Sequence, residues 1–248
     1  MAGLRKQFRR IKQSALKYSY RDNRCDSSFN WNWKQVRINR IAIINLVVSR
    51  YRDCAYLEIG CDGDEVFNSI PCNNKTGVDP NRGGTLRMTS DQFFLSNPDK
   101  FDVIYIDGLH TYEQVHKDVA NAMRALKPGG RVLLHDLLPH NWVEAHVPRI
   151  AMGSWTGDVW KVAFELAQTA GVEFKIVKAD NGVGIFGITG SNPILADLSE
   201  KLGEAQFSYL YGNVSQLPLV EWDEAREWIL ETWGLQGASI HAQHTAAG

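Results

Sequence analysis

Two apolar runs, "FDVIYID" (101–107) and "GRVLLHD" (130–136), bracket a segment of helical period, and this arrangement leaves few folds open. Between them Val115, Val119, Ala122 and Leu126 recur at helical spacing, Thr111 and Gln114 fit a capping box, and Pro128-Gly129-Gly130 stop the run. Strand, helix, strand at this spacing is a right-handed βαβ unit of a parallel sheet. Each flanking run ends in aspartate.

The rest of the chain extends that unit. "CAYLEIG" (54–60) is a short apolar run stopped by glycine, and "KTGVD" (75–79) a weaker second strand. "TSDQFF" places Ser90 and Asp91 at the expected end of a third. Residues 35–51 and 157–171 have helical patterns. "EFKIVKA" (173–179) and "GVGIFGIT" (182–189), joined at Asp180-Asn181, form an expected antiparallel hairpin. Residues 221–233 give a C-terminal amphipathic helix. The whole is a doubly wound α/β fold with an N-terminal helical extension.

Charge separates the ends from the middle. The net charge of -1 excludes a protein built mainly for nucleic acid. Residues 1–24, however, hold eight Lys and Arg and the single acid Asp22, with Leu4, Phe8, Ile11 and Ala15 at helical spacing. A basic amphipathic helix suits peripheral membrane contact through residues 1–24, an organelle transit segment or an acidic partner; the plainer alternative is a solvated helix lying over the domain. No apolar stretch reaches the length of a membrane span, and Cys25, Cys54, Cys61 and Cys72 show no disulfide pattern, so a cytoplasmic protein with reduced thiols is expected. The expected organisation is a basic extension over 1–34, a domain over 35–235 and a flexible tail over 236–248.

In doubly wound sheets ligands bind beyond the carboxyl ends of the strands. Glu58, Gly60, Asp62 and Gly63 follow the first strand, and Asp79 in "GVDP" follows the second, where an acid can accept from a ribose diol. Asp107 and His110 follow the fourth expected strand, His135 and Asp136 the fifth, with His140 further on. No G-x-G-x-x-G follows the first strand, which weighs against a nicotinamide dehydrogenase.

Taken in order, "YLEIG…GVDP…MTSDQFF…FDVIYIDGLHTYEQVHKD…LKPGGRVLLHD" resembles the class I S-adenosylmethionine-dependent methyltransferases, in particular the small-molecule and glycan O-methyltransferase group of methyltransferase domain 24 type, over residues 54–190. The resemblance implies a Rossmann-like seven-stranded sheet with an antiparallel last strand and S-adenosyl-L-methionine as cofactor. By it Glu58, Gly60 and Gly63 line the methionine end, with Asp62 beside them. Asp79 binds the ribose, Ser90 and Asp91 lie near the adenine, and Asp107 borders the same site. The family spacing E-x-G-x-x-x-G would end at position 64, which is Asp64 here, so Gly63 takes that place through a shortened loop.

Methyl transfer to a hydroxyl needs a destination for its proton. Histidine suits that role near neutral pH, so His110 or His135 is the expected base, oriented by Asp107 or Asp136. Metal-dependent relatives place ligands after the same strands, which makes Asp107, His135 and Asp136 a candidate divalent-metal set. An imidazole there favours Zn²⁺, Mn²⁺ or Fe²⁺ over Mg²⁺. His116, His146, His241 and His244 read as structural or surface residues. The segment 137–161, rich in aromatics, is an expected lid or substrate wall, with Trp142 and Trp155 available to stack on an acceptor and Asp158 placed to cap the following helix. Two rivals stay open at this level: N-methylation of an amine, and a catalytically silent cofactor-binding scaffold recruited through the basic terminus.

Overall fold

The computed structural model describes residues 2–33 and 35–232. The expected tail over 236–248, His241 and His244 lie outside them, as do the side chains of Leu4, Arg5, Lys6, Phe8, Arg9 and Arg10. In chain order the elements are α1 (Ala2–Ser19), α2 (Arg40–Val48), β1 (Ala55–Ile59), α3 (Glu65–Ser69), β2 (Asn74–Val78), α4 (Ser90–Ser96), β3 (Phe101–Ile106), α5 (Tyr112–Ala125) and β4 (Leu126–Leu134). Then come α6 (Trp142–Ala145), α7 (Trp160–Gln168), β5 (Val172–Val177), β6 (Val183–Ile188), α8 (Ser199–Leu202), α9 (Phe207–Asn213), β7 (Leu219–Val220) and α10 (Trp222–Thr232).

The strands form one seven-stranded sheet in the order β2-β1-β3-β4-β6-β5-β7. Only β6 runs against the others: it pairs antiparallel with β4 and β5, while the remaining pairs are parallel. The seventh strand comes from β7 at the far edge. The segment before Ser90 contributes only an isolated bridge, Val78 to Leu86. Ser90 and Asp91 therefore open α4 rather than end a strand, behind a capping box made by Thr89 and Gln92.

Alternation along the strands sends side chains to two cores. Leu57, Ile59, Ile104 and Val132 pack with Val115, Val119 and Ala122 of α5 and with Phe164 of α7. Tyr56, Val103, Tyr105 and Leu133 pack on the opposite face with Ile43, Ile44 and Val47 of α2 and Ile229 of α10. One helix boundary and one helix cap differ from the sequence expectation. Helix α2 begins only at Arg40, where the Asn39 side chain accepts from the Ala42 amide. The capping box expected at Thr111 and Gln114 is absent: Thr111 makes no side-chain cap, and Asp158 accepts from the Tyr112 amide at 2.7 Å instead. Asp158 thus caps α5, not the helix that follows it in sequence.

A buried polar node fixes α5 to α7. Glu165, fully buried, accepts from the Tyr112 hydroxyl at 2.5 Å and the Leu198 amide at 3.0 Å, and His116 Nδ1 lies 2.8 Å from its other oxygen. Removing one partner of such a network leaves the others buried and unpaired. Glu165→Ala is expected to lower unfolding free energy by about 3–5 kcal/mol, read from urea denaturation at unchanged m-value.

The extension packs onto the domain. Phe29 stacks on Trp31 with ring centroids 4.4 Å apart and meets Phe207 of α9 edge-on; the Phe29 amide donates to the His140 carbonyl and Trp31 Nε1 to that of Pro139. Leu16 and Tyr20 also rest on the core. Of the apolar stripe read on α1, Ile11 is 61% exposed and Ala15 is exposed, so the docked face is the one bearing Leu16. Among the described residues no helix is long and apolar enough to cross a membrane.

Candidate active site

The sheet ladder runs on past the strand ends. The Gly60 amide donates to the Val78 carbonyl at 2.9 Å, Asp107 to Ile59 at 2.8 Å, and His135 to Ile106 at 3.2 Å. This continuation lines up Gly60, Asp107 and His135 at the carboxyl edge. Because β6 alone is reversed, the tight turn between β5 and β6 reaches the same edge, with Asp180 and Asn181 at φ +46° and +61°. Asp136 also has a positive φ, +62°, which aspartate tolerates better than most residues and which is commonest at functional sites.

These ends enclose a cluster of two imidazoles and three carboxylates. His110 Nε2 lies 3.4 Å from Asp107 Oδ1, and its Nδ1 lies 3.2 Å from Asp136 Oδ2 and 3.1 Å from the Trp155 carbonyl. His135 Nδ1 is 3.3 Å from both Asp107 Oδ1 and Asp136 Oδ1, and its Nε2 is 2.7 Å from the Asp180 carbonyl. A carbonyl only accepts, so His110 carries hydrogen on Nδ1 and His135 on Nε2. Asp107 Oδ2 accepts from the Tyr105 hydroxyl at 2.9 Å, and Arg40 Nε stands 3.9 Å away.

The electrostatics follow from this crowding. Burial would push both histidines down, but Asp107 and Asp136 outweigh it, raising His110 and raising His135 well above the ordinary range. Burial would raise Asp107, yet His135 and His110 hold it well below the usual carboxylate range. Burial wins at Asp136, which is raised despite His135. His135, 8% exposed, is walled in, whereas His110 is half-buried and faces the cleft.

The cleft is a cavity of about 980 Å³. Its wall includes Glu58, Gly60, Asp62, Gly63, Asp79, Ser90, Asp91, Asp107, His110, His135 and Asp136. Glu58 is buried and accepts from the Tyr56 hydroxyl at 2.6 Å; burial pushes its carboxyl up to about 7, against that hydrogen bond. Asp79 is committed to the backbone. Its two oxygens accept from the amides of Cys61, Asp62, Asn81 and Arg82, which outweigh its burial and lower its pKa. Asp62 is exposed and pairs with Arg82. Ser90 and Asp91 both meet Gln114 Nε2, at 3.2 and 3.1 Å. Gly63 faces open space, while a side chain at Gly60 would run into the Asp107 carbonyl.

Residues 60–137 match a protein-family model described as Methyltransferase domain. That match runs from the end of β1 to just past the end of β4, and with it the resemblance to a methyltransferase domain. No curated protein matches the chain. Among solved structures the chain is similar to the O-methyltransferase TomG from Streptomyces achromogenes, solved with SAM. Identity is 15%, coverage 60% of this chain and 78% of that one, and the TM-score 0.43. It is likewise similar to an O-methyltransferase from Bacillus cereus in complex with SAH (12% identity, 71% and 90% covered, TM-score 0.43) and to cofactor-bound Rv0187 from MTB (10%, 63% and 84%, 0.46).

Two features bear on the sequence reading, the group that could hold a metal and the expected lid. Asp107, His110 and Asp136 each offer a ligand atom within 4.8 Å of the others, a group with His110 beside the two carboxylates, while His135 Nδ1 also stands 3.3 Å from each of those carboxylates. The group fits a divalent ion: Asp136 Oδ1 is buried without a hydrogen-bond partner, and two carboxylates with one imidazole suit Mn²⁺, Fe²⁺ or Zn²⁺. His140 turns to Glu144, with Nδ1 3.0 Å from its carboxylate, and lies off the cavity wall. Trp142 is buried, so it cannot stack on an acceptor, while Trp155 lies stacked with His110 at 5.4 Å between ring centroids. His116 and His146 are structural, as expected.

Arg40, Gln114, Asp118, Arg149 and Asp180 also line the cavity, and none of them reads as a site residue in the sequence. Asp180 had a signal: a hairpin whose first strand is parallel to its neighbours must turn at their carboxyl edge. Arg40 precedes the first strand by a whole helix and had none.

Proposed function

We propose that this protein uses S-adenosylmethionine to methylate a hydroxyl of a small molecule or glycan, with His110 as general base. The observation that carries the proposal is His110 itself, open to the cleft and flanked by two carboxylates at a strand-end edge beside the glycine loop. A cavity of about 980 Å³ has room for both cofactor and acceptor. S-adenosylmethionine, when bound, supplies an electrophilic methyl group. The Gly60–Gly63 loop and Glu58 face its methionine end, Ser90, Asp91 and Gln114 its base, and Asp79 acts through the loop amides it holds.

The chain's own part is proton handling. Neutral His110, with Nδ1–H on the Trp155 carbonyl, presents Nε2 as the basic nitrogen. As the new C–O bond forms, Nε2 takes the hydroxyl proton, and Asp107 stabilises the imidazolium. His135 is a positioning residue, a buried cation holding Asp107 and Asp136 in register. A divalent ion, if resident, would be held by Asp107, Asp136 and the Nε2 of His110, and by lowering the pKa of a coordinated hydroxyl it would act in place of His110 as base.

Glu58 makes cofactor binding pH-linked. The methionine ammonium favours the ionised carboxylate, whereas the empty site holds Glu58 near 7. Affinity should therefore climb as pH rises to about 7, by at most about tenfold per pH unit, with proton release on binding. The same raised pKa favours the fold when Glu58 is neutral, a contribution complete below the ordinary value of 4.5 and lost as pH rises through about 7. Calorimetry in buffers of different ionisation enthalpy reads the released proton, and Glu58→Gln should abolish it. The deciding experiment for the function is labelled cofactor with a panel of hydroxylated metabolites, with and without chelator. Failure to bind the cofactor by calorimetry would overturn the proposal.

A further inference from the structure

The cavity wall is acidic, and two of its three arginines are already engaged: Arg82 with Asp62, and Arg40 with Asp180 and more distantly Glu65 and Asp107. Arg149 is different. Among the described residues no carboxylate pairs with it; backbone carbonyls of Ala151 and Gly153 accept from its Nε and Nη2 at 3.3 and 3.0 Å. Its guanidinium carbon sits over the Trp155 ring, 5.4 Å from the centroid, and Trp155 is in turn stacked with His110. The cation is thus held in place by its own loop, on an indole that touches the proposed base.

Arg149 also belongs to a second cavity of about 510 Å³, which lies between α1 and the 148–152 loop and is lined by Lys12. The two cavities share that one residue. An acceptor with its hydroxyl at His110 and its far end toward α1 passes Arg149 and then reaches a lysine. In a cleft otherwise rich in carboxylates, an unpaired and preorganised guanidinium selects for negative charge, and its planar fork suits a carboxylate or phosphate.

We infer that Arg149 is a specificity residue for the acceptor, which carries an anionic group, carboxylate or phosphate, on the side facing α1. This rests on the assignment of His110 as the catalytic base. A methylated hydroxyl on an acidic sugar or a hydroxy acid glycoside meets the description, whereas a neutral acceptor leaves the guanidinium unmatched.

The test separates this inference from the function itself. Binding of methyl glucuronide, methyl glucoside and glucose 6-phosphate is measured by calorimetry on the full-length protein, with and without S-adenosylhomocysteine, for wild type and Arg149→Gln. The expected result is that one or both anionic probes bind at least about tenfold more tightly than methyl glucoside, and that the variant removes this preference without changing affinity for S-adenosylhomocysteine. The glucuronide and phosphate arms tell which anion the site takes. Equal binding of all three probes, no binding of either anion, or an anion preference that survives Arg149→Gln would overturn the inference. Loss of S-adenosylhomocysteine binding alone would instead overturn the cofactor assignment, since the sugar probes are also titrated without it.

Discussion

Replacing His110 with alanine is expected to lower methyl-transfer turnover by about 10²–10⁴-fold while changing cofactor affinity less than about twofold. The size follows from what is lost. An alcohol is a weak nucleophile while it keeps its proton, and His110 Nε2 is the half-buried basic nitrogen at the cleft, with Asp107 3.4 Å away to stabilise the product imidazolium. His135 cannot take over, because its Nε2 is held on the Asp180 carbonyl and its Nδ1 lies between two carboxylates. Cofactor affinity should survive, since His110 lies beyond the glycine loop on the acceptor side. Single-turnover rates with labelled cofactor give the first quantity and calorimetry the second. Added imidazole should restore part of the rate if the lost group is a base. An amine acceptor needs no strong base, so a turnover that hardly changes would point to N-methylation instead.

Much of this site was legible because strand ends are legible. Runs such as "CAYLEIG" and "FDVIYID" end in residues whose position at the carboxyl edge is dictated by sheet topology, and Glu58, Gly60, Asp107, His135 and Asp136 all line the cavity for that reason. Residues placed by tertiary packing were harder to read. Gln114 looks like half of a capping box in sequence, yet its amide turns to Ser90, Asp91 and Asp118, because Asp158, brought in from 46 residues away, has already capped the helix. The weak strand before Ser90 is interrupted by Asn81-Arg82-Gly83-Gly84, and only one bridge survives. Both strand-end histidines line the cavity, but nothing local distinguished His110 from His135. Their difference lies in the partners of each ring, and those come from Trp155 and Asp180.

The same logic explains why the aromatic run of the extension belongs with the site. Phe29 and Trp31 bond to the carbonyls of His140 and Pro139, at the base of the loop that carries Arg149 and Trp155. Tyr20 and Asn23 both meet His146, whose carbonyl accepts from Trp155 Nε1. The segment read from composition as a separate basic extension therefore helps set the indole on which the acceptor wall depends.

Gly60→Ala is the substitution expected to damage both fold and function. Gly60 has a φ of +88°, which costs an L-residue about 1–2 kcal/mol, and its new Cβ would meet the Asp107 carbonyl with the Gly108 Cα only 2.5 Å away. Neither neighbour is a side chain that can swing aside; both are backbone fixed by the ladder from Asp107 to Ile59. With overpacking added, the loss should reach about 2–5 kcal/mol, a fall in Tm on the order of 5–15 °C. Turnover should fall even in the folded fraction, because the backbone that must yield is the one that carries the Asp107 carboxylate. Gly63→Ala supplies the contrast. Its Cβ would meet nothing within 4 Å and its φ is not positive, so thermal stability should stay within about 1 °C of wild type. If the Gly60–Gly63 loop faces the methionine end of the cofactor, that variant should still bind it more weakly, because the added methyl points into space a ligand would fill. Unchanged affinity in Gly63→Ala would remove the loop's glycine from the cofactor site, while an unchanged Tm in Gly60→Ala would contradict the close approach of the two strand ends.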